Sequence, residues 1–223
     1  MKLILFDIDG TLLTTDGAGR AALRAAGADL FAIEEDLEGV AVSGNTDVAI
    51  VHEILNKQGI PDSEINLNRY FGAYLAHLKQ RLIQQPGDVL PGVAMLLHAC
   101  VQDGCIVGLL TGNLRRGAQM KLGAHRLWDR FSVGAFADDN RDRNMLGPIA
   151  KKRAETEFRA PFDELFIVGD TPRDIACGKV ANATVLAVAT GRYSSESLAA
   201  HRPDYLFEDL RETKTVLAAL GIG

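Results

Sequence analysis

The sequence predicts an α/β protein, a Rossmann-like parallel sheet core with an inserted α-helical cap. Three observations carry this. Short apolar runs at 3–6, 105–110, 165–168 and 184–188 have the length and composition of strands buried on both faces of a parallel sheet. In the second half of the chain these runs alternate with helix-period stretches, the βα order that builds such a sheet. From about 15 to 86, by contrast, the pattern is helical with no convincing strand. The expected division is a core of residues 1–14 and 87–223 and a helical cap of residues 15–86.

Leu3 to Phe6 is the first strand and stops at Asp7. A turn-rich piece from Leu12 to Gly19 leads away from it, with Asp16 expected to cap an Ala-rich helix over Arg20–Leu30. After Ser43-Gly44-Asn45-Thr46-Asp47, the residues Val48, Ile50, Val51, Ile54 and Leu55 recur at helical spacing until Gly59-Ile60-Pro61. Thr46 or Asp47 can cap that helix. A third helix, about Ser63 to Gln84, has Tyr70, Tyr74, Leu78 and Leu82 on its apolar side and exits at Gln85-Pro86-Gly87-Asp88. Leu13–Asp16 and Gln85–Asp88 are the hinge candidates. In the second half, Pro91-Gly92 opens a helix to Val101, and Cys105–Leu110 is a strand. A helix over Arg115–Leu122 follows, with Asn113 a candidate cap, then a strand within Phe131–Phe136 and a charged loop from Asp138 to Asn144. Pro148 suits the first position of a helix reaching Phe158. Leu165–Val168, Thr184–Val188 and Tyr205–Phe207 complete the strands, with helices over Ile175–Ala181 and Leu210–Leu220.

Composition bounds the function classes. A chain of 223 residues with 47% hydrophobic and 24% charged residues can bury a substantial core as one domain or as a core carrying a smaller one. A net charge of -5 argues against nucleic acid and anionic membranes as partners, so a small anionic ligand needs a local cation. Arg115-Arg116 is too small a basic cluster to change that. Cys100, Cys105 and Cys177 fit neither a disulfide framework nor a zinc site, and are expected as buried reduced thiols in a cytoplasmic protein. His52, His77, His98, His125 and His201 have no metal-ligand spacing. No apolar stretch reaches membrane-spanning length, and Asp7 interrupts the N-terminal run too early for a signal-peptide core.

Three of the expected strands end in polar residues: the first in Asp7-Ile8-Asp9-Gly10-Thr11, the second in Thr111-Gly112-Asn113, the third in Gly169-Asp170-Thr171-Pro172-Arg173-Asp174. Parallel strands place all three ends at the same edge of the sheet, where open α/β folds bind ligands. Carboxylates packed so closely repel one another unless a cation sits among them, and Asp oxygens suit Mg²⁺.

With these residues in view, the chain resembles the haloacid dehalogenase superfamily, in its phosphatase branch with a helical cap inserted after the first motif. It is similar in layout to phosphoglycolate phosphatases and β-phosphoglucomutase-like enzymes. The resemblance implies phosphoryl transfer in two steps. Asp7 would be the nucleophile that forms an aspartyl phosphate, and Asp9 the acid and then base. The Asp7 carboxylate, the main-chain carbonyl of Asp9 and Asp170 would hold Mg²⁺, with Asp174 orienting the groups around the metal. Thr111 and the backbone at Gly112 would bind phosphate. Dehalogenases lack the second acid, so Asp9 favours phosphate esters. The family also has a cation that touches nucleophile and phosphate; Arg143 and Lys151 are the two candidates, and the spacing from Asp170 favours Arg143. Related caps often carry a basic residue before Thr-Asp, where this chain has Asn45, and Arg20 is a further cap residue that could face the site. The implied partner is a small-molecule phosphate ester, with no nucleic acid and no membrane. A phosphosugar mutase of the same fold and a non-catalytic binding module are the alternatives. The substrate, the oligomeric state and the choice of Mg²⁺ over Mn²⁺ stay open at this level.

Overall fold

The N-terminal strand β1 (Lys2–Phe6) is the third strand in spatial order yet the first in sequence, and that placement organises the computed structural model, which describes residues 1–34, 37 and 39–222. Leu3, Ile4, Leu5 and Phe6 are all fully buried, as a strand covered on both faces requires. In chain order follow β2 (Leu13–Thr14), α1 (Ala18–Phe31), α2 (Asp47–Lys57), α3 (Glu64–Gln84), β3 (Asp88–Val89) and α4 (Val93–Gln102). Next come β4 (Ile106–Leu110), α5 (Arg115–Ala124), β5 (Val133–Ala135), α6 (Leu146–Phe158) and β6 (Glu164–Gly169). The chain closes with α7 (Pro172–Val180), β7 (Thr184–Val188), α8 (Ser195–Ala199), β8 (Tyr205–Phe207) and α9 (Thr213–Ala219). Short 3-10 turns occupy Trp128–Arg130 and Arg143–Met145.

Among the described residues the main sheet has six strands in the order β5-β4-β1-β6-β7-β8, every pair parallel. The chain leaves β1 for β4 on one side and returns to β6 on the other. The order therefore reverses at β1, and the crevice past its carboxyl end is the switch point at which such sheets bind ligands. The registers Phe6↔Leu109 and Phe6↔Val168 bring the residues after all three strands to one level. One face of the sheet packs Ile4, Phe6 and Val107 with α4 and α9; the other packs Leu3, Leu5 and Ile167 with α6 and Cys177 of α7. Lys2 reaches from β1 to donate to the carbonyls of Leu220 and Gly221 at 2.6 and 2.9 Å, which satisfies the exposed end of α9. No helix among the described residues is long and apolar enough to cross a membrane.

Helices α1 to α3 form their own apolar cluster, with Ala22, Leu23 and Ala26 facing Tyr70, Tyr74 and Leu78. The small residues of α1 let α3 approach closely: the Tyr70 hydroxyl donates to the Leu23 carbonyl at 3.0 Å, and a Cβ on Gly27 would stand 2.8 Å from that hydroxyl. Leu114 and Ala137 of the sheet region belong to the same cluster, so the helical layer sits on the carboxyl edge of the sheet. The predicted α/β class with a helical insertion is what the fold shows.

Several local expectations are corrected. Asp16 does not cap α1; its φ is 49° and Gly17, at φ 81°, precedes the helix. The Asp16 carboxylate instead accepts from Thr14 Oγ1 at 3.2 Å and Gln85 Nε2 at 2.9 Å, fastening the entry of the helical segment to its exit. Strands β2 and β3 pair antiparallel at that same place, Leu13 with Val89 and Thr14 with Asp88, and two residues each are too few to show a period. Pro148 is the third residue of α6, still within the first turn where its missing N–H costs nothing. Asn113 does not cap α5. The first N–H groups of that helix are met instead by carboxylates, Asp47 at Leu114 and Asp138 at Arg115, at 2.8 and 2.5 Å. Helix α8 was not expected, because five residues carry no readable pattern.

Gly87 makes the crossing of the two connecting strands possible: at φ 79°, a Cβ there would lie 1.8 Å from the Thr14 carbonyl oxygen. Gly59, at φ 64°, has open space around it. Both substitutions to Ala carry the left-handed penalty of about 1–2 kcal/mol, and only Gly87→Ala adds a backbone collision. Thermal melts should show Gly59→Ala lowering Tm by a few degrees and Gly87→Ala by clearly more. Equal shifts would contradict this account of the crossing.

Candidate active site

The ends of β1, β4 and β6 meet as the registers require. Asp7, one residue past β1, is pinned by its own N–H to the Val168 carbonyl of β6 at 2.9 Å. Asp170 follows β6, and its Oδ1 accepts from Thr11 Oγ1 at 3.3 Å. Gly10 and Gly191 leave room for that carboxylate; a Cβ on either would stand 2.5 and 1.7 Å from Asp170 Oδ2. Asp174, at the third position of α7, forms a reciprocal cap with Thr171: its Oδ2 accepts from the Thr171 N–H at 3.0 Å and hydroxyl at 2.7 Å. One carboxylate oxygen from each of Asp7, Asp170 and Asp174 lies within 4.8 Å of the others, and all three residues are buried.

One cation enters this group. Arg143, on the 3-10 turn before α6 and only 4% exposed, donates to Asp174 Oδ1 at 2.5 Å and approaches Asp7 Oδ2 at 3.0 Å. Burial opposes its charge, but the Asp174 and Asp7 carboxylates outweigh that and hold the guanidinium more firmly protonated than usual. Its Nε is buried and has no acceptor among the described residues. The balance is three carboxylates against one guanidinium. Burial accordingly pushes Asp7 up to about 6, opposed by Arg143 and reinforced by Asp174 and Asp9. Asp170 is lifted well above the carboxylate range by burial first, then by Asp174 and Asp7. Asp174 has both oxygens occupied by Arg143 and Thr171, which leaves Asp7 and Asp170 as the acids able to hold a hard divalent cation. Oxygen donors with excess negative charge and raised proton affinity fit such an ion.

Thr111 follows β4 and is fully buried; its hydroxyl accepts from the Asn113 N–H at 3.3 Å and Asn113 Nδ2 at 2.8 Å. Among the described residues its own proton has no protein acceptor, so it is available to a ligand oxygen. Gly112 is where the helical layer touches down: its carbonyl accepts from the Asp47 N–H at 2.7 Å, and a Cβ there would lie 2.0 Å from the Asn45 carbonyl. Thr46 caps α2, accepting from the Ala49 N–H at 3.1 Å, and donates across to the Arg141 carbonyl at 2.7 Å. Lys151 is elsewhere, on a solvated helix face 4.0 Å from Glu155.

Asp9 is half-exposed toward a cavity of about 440 Å³ between the sheet edge and the helical layer, with Arg20 and Asn45 among its lining. The sequence pointed to no part at the site for three other residues that line it as side chains. Lys121 of α5, 3% exposed, donates to both oxygens of Asp9 at 2.8 and 2.6 Å. Asp47, weighed only as a helix cap, is buried in the same place. Burial pushes it up to about 6 against the pull of Lys121 and the Leu114 N–H, and Tyr74 bonds it. Tyr74 itself is raised well above its ordinary value, by burial and then by Asp47 and Asp9. A signal existed for Lys121: Gly117, Ala118, Lys121 and Leu122 are the buried face of α5, so a Lys stood on a helix's inward side.

A crevice at the switch point of a parallel sheet, with two acids after the first strand, a hydroxyl after the second and an acid after the third, has the donors to hold a divalent cation beside a phosphate group. The chain belongs to the haloacid dehalogenase-like hydrolase family, whose pattern matches residues 4–188. Among curated relatives, a phosphoglycolate phosphatase of Vibrio vulnificus is 27% identical over 222 residues, covering 97% of this chain and 96% of that one. Among solved structures, a hydrolase from Pseudomonas syringae aligns with a TM-score of 0.76 at 20% identity, covering 98% of each chain. CbbY from Rhodobacter sphaeroides in complex with xylulose-(1,5)bisphosphate aligns with a TM-score of 0.78 at 18% identity, over 95% of this chain and 96% of that one.

The raised carboxyls make stability pH-dependent in metal-free buffer. A buried acid held near 6 binds its proton more tightly folded than unfolded, so its stabilising effect is full below about pH 4 and lost as pH rises through 6. The full move is worth at most about 3 kcal/mol per group. Asp47→Asn keeps an acceptor for the Leu114 N–H without a charge to bury. Denaturant melts in a chelator should therefore show wild type losing stability between pH 4 and 7, and Asp47→Asn losing less. A parallel fall would contradict the burial of Asp47 as an acid.

Proposed function

We propose that the chain is a Mg²⁺-dependent phosphatase of a small phosphorylated metabolite, working through an aspartyl phosphate on Asp7. One observation carries the reading: Asp7, Asp170 and Arg143 converge at the end of the central strand, with Thr111 beside them and Asp9 two residues on. Mg²⁺ held by Asp7, Asp170 and the Asp9 carbonyl would supply positive charge that offsets the negative charge of the nucleophile and phosphate. An Asp7 oxygen attacks phosphorus, and the ester oxygen leaves with a proton from Asp9. Asp9 then takes a proton from the water that attacks the phosphoenzyme, releasing phosphate and restoring Asp7. Arg143, held by Asp174, and Thr111 with the backbone at Gly112 bind phosphate oxygens. Residues 15–86 act as a cap that covers the site and excludes water, hinged at the β2/β3 crossing.

The relatives support a compact substrate such as phosphoglycolate or a sugar phosphate, and a cavity of about 440 Å³ accommodates either. A net charge of -5 supports a small phosphate ester met by local cations over nucleic acid or an anionic membrane. The three buried, unpaired thiols support a cytoplasmic location.

Phosphate release across a panel of small phosphoesters tests the reading. Release should require Mg²⁺ and disappear with chelation; Asp7→Asn should fall to background, and Asp9→Asn should lose about 10²–10⁴-fold. Isomerisation of a phosphosugar with little free phosphate would replace the phosphatase with a mutase. Activity that survives Asp7→Asn would overturn the nucleophile.

A further inference from the structure

The chemistry assigned above leaves Lys121 without a part, yet its ammonium is held at three points. A buried ammonium is tolerated only when paired and fully hydrogen-bonded. Its three N–H donors have three acceptors: Asp9 Oδ1 at 2.8 Å, Asp9 Oδ2 at 2.6 Å and Asn113 Oδ1 at 2.6 Å. Asn113 closes the triangle from its other end, donating Nδ2 to Asp9 Oδ2 and to Thr111 Oγ1, both at 2.8 Å. Both oxygens of Asp9 are thereby gripped by groups from the loop after β4 and from α5, although the Asp9 side chain itself is 40% exposed. A carboxylate that open would otherwise rotate among several rotamers.

The grip comes from a rigid source. The start of α5 is fixed by the Asp47 and Asp138 carboxylates, and its buried face packs on α3, where a Cβ on Gly117 would meet Leu78 at 3.5 Å. Helix α1 passes directly over the ammonium with a glycine: a Cβ on Gly19 would lie 3.4 Å from Lys121 Nζ. The helical layer therefore closes over the amine without displacing it from Asp9.

We propose that Lys121, together with Asn113, is a positioning residue that fixes the Asp9 carboxylate in the orientation from which it exchanges protons with the leaving oxygen and the attacking water. The inference rests on the reading of Asp9 as acid and base. It differs from a simple tie between α5 and the β1 loop, because positioning matters only where Asp9 must move a proton.

The test compares an alkyl phosphate, whose leaving oxygen needs a proton, with 2,4-dinitrophenyl phosphate, whose leaving group needs none, both with Mg²⁺ present. Lys121→Met should lower kcat on the alkyl ester about 100-fold with KM nearly unchanged. The pre-steady-state burst of dinitrophenolate should keep its rate, while the steady state after it slows because dephosphorylation still needs Asp9. In an Asp9→Asn background, Lys121→Met should cost almost nothing further. Lys121→Arg keeps a buried charge but not the three-point geometry, and should show the same split if Lys121→Met does not fold. Equal loss of burst and alkyl turnover would make Lys121 a structural tie. Losses that multiply in the Asp9→Asn background, or a rise in KM at constant kcat, would make it a substrate contact; either result overturns the proposal. An Asp9→Asn variant indifferent to leaving group would strike the reading of Asp9 as acid instead, and the inference with it.

Discussion

Mutual repulsion of carboxylates held out of water is the constraint on which the rest of the molecule depends. Asp7, Asp170 and Asp174 lie within 4.8 Å of one another, buried, at the carboxyl edge of the central strands. Left uncompensated, such a group would protonate or push its loops apart. The fold answers with Arg143, which neutralises one charge and is aimed by Asp174, and with an excess that a divalent cation can meet. The excess of negative charge that burial imposes here is the feature that a divalent cation would relieve.

The position of β1 makes the crowding possible. Because the strand order reverses there, no crossover helix blocks the space beyond Phe6, and loops from both neighbouring strands converge on it. The helical layer is tied to the same edge by few and specific groups. Thr46 reaches the Arg141 carbonyl, the Asp47 N–H reaches Gly112, and the Asp47 carboxylate meets the first turn of α5. Two of these contacts, at Gly112 and Leu114, fall on or beside the Thr111–Asn113 loop whose Asn113 amide bonds Asp9, so the helical layer and the Asp9 side chain are tied to one loop.

The sheet was legible because its strands are apolar runs of parallel-sheet length, and the candidate site because its acids follow those runs directly. Asp7, Asp9, Thr111 and Asp170 each stand within three residues of a strand end, where topology alone brings them together. Arg143 was readable only as spacing plus a charged loop, since nothing local says that a guanidinium 27 residues before Asp170 turns inward. Asp47 was legible only as a possible cap, Tyr74 only as part of an apolar helix face, and Lys121 not at all, because their place at the site depends on how helices of different segments face one another. A helix's inward side shows in its period, but what it meets there does not. Asp16 failed as a cap for a related reason: its partner, Gln85, lies 69 residues away. Asn113 failed because Asp9 and Lys121 compete for its amide, and that competition exists only in the folded chain.

The central claim is that phosphoryl passes through Asp7. The most direct measurement is to quench the enzyme during turnover of a good phosphoester with Mg²⁺, reduce with borohydride and map the peptides by mass spectrometry. An aspartyl phosphate at Asp7 is reduced to homoserine, so the account predicts that conversion in the peptide that begins at Met1, dependent on substrate and metal. Turnover with Asp7 unmodified, or with the reduced residue at another acid, would contradict it.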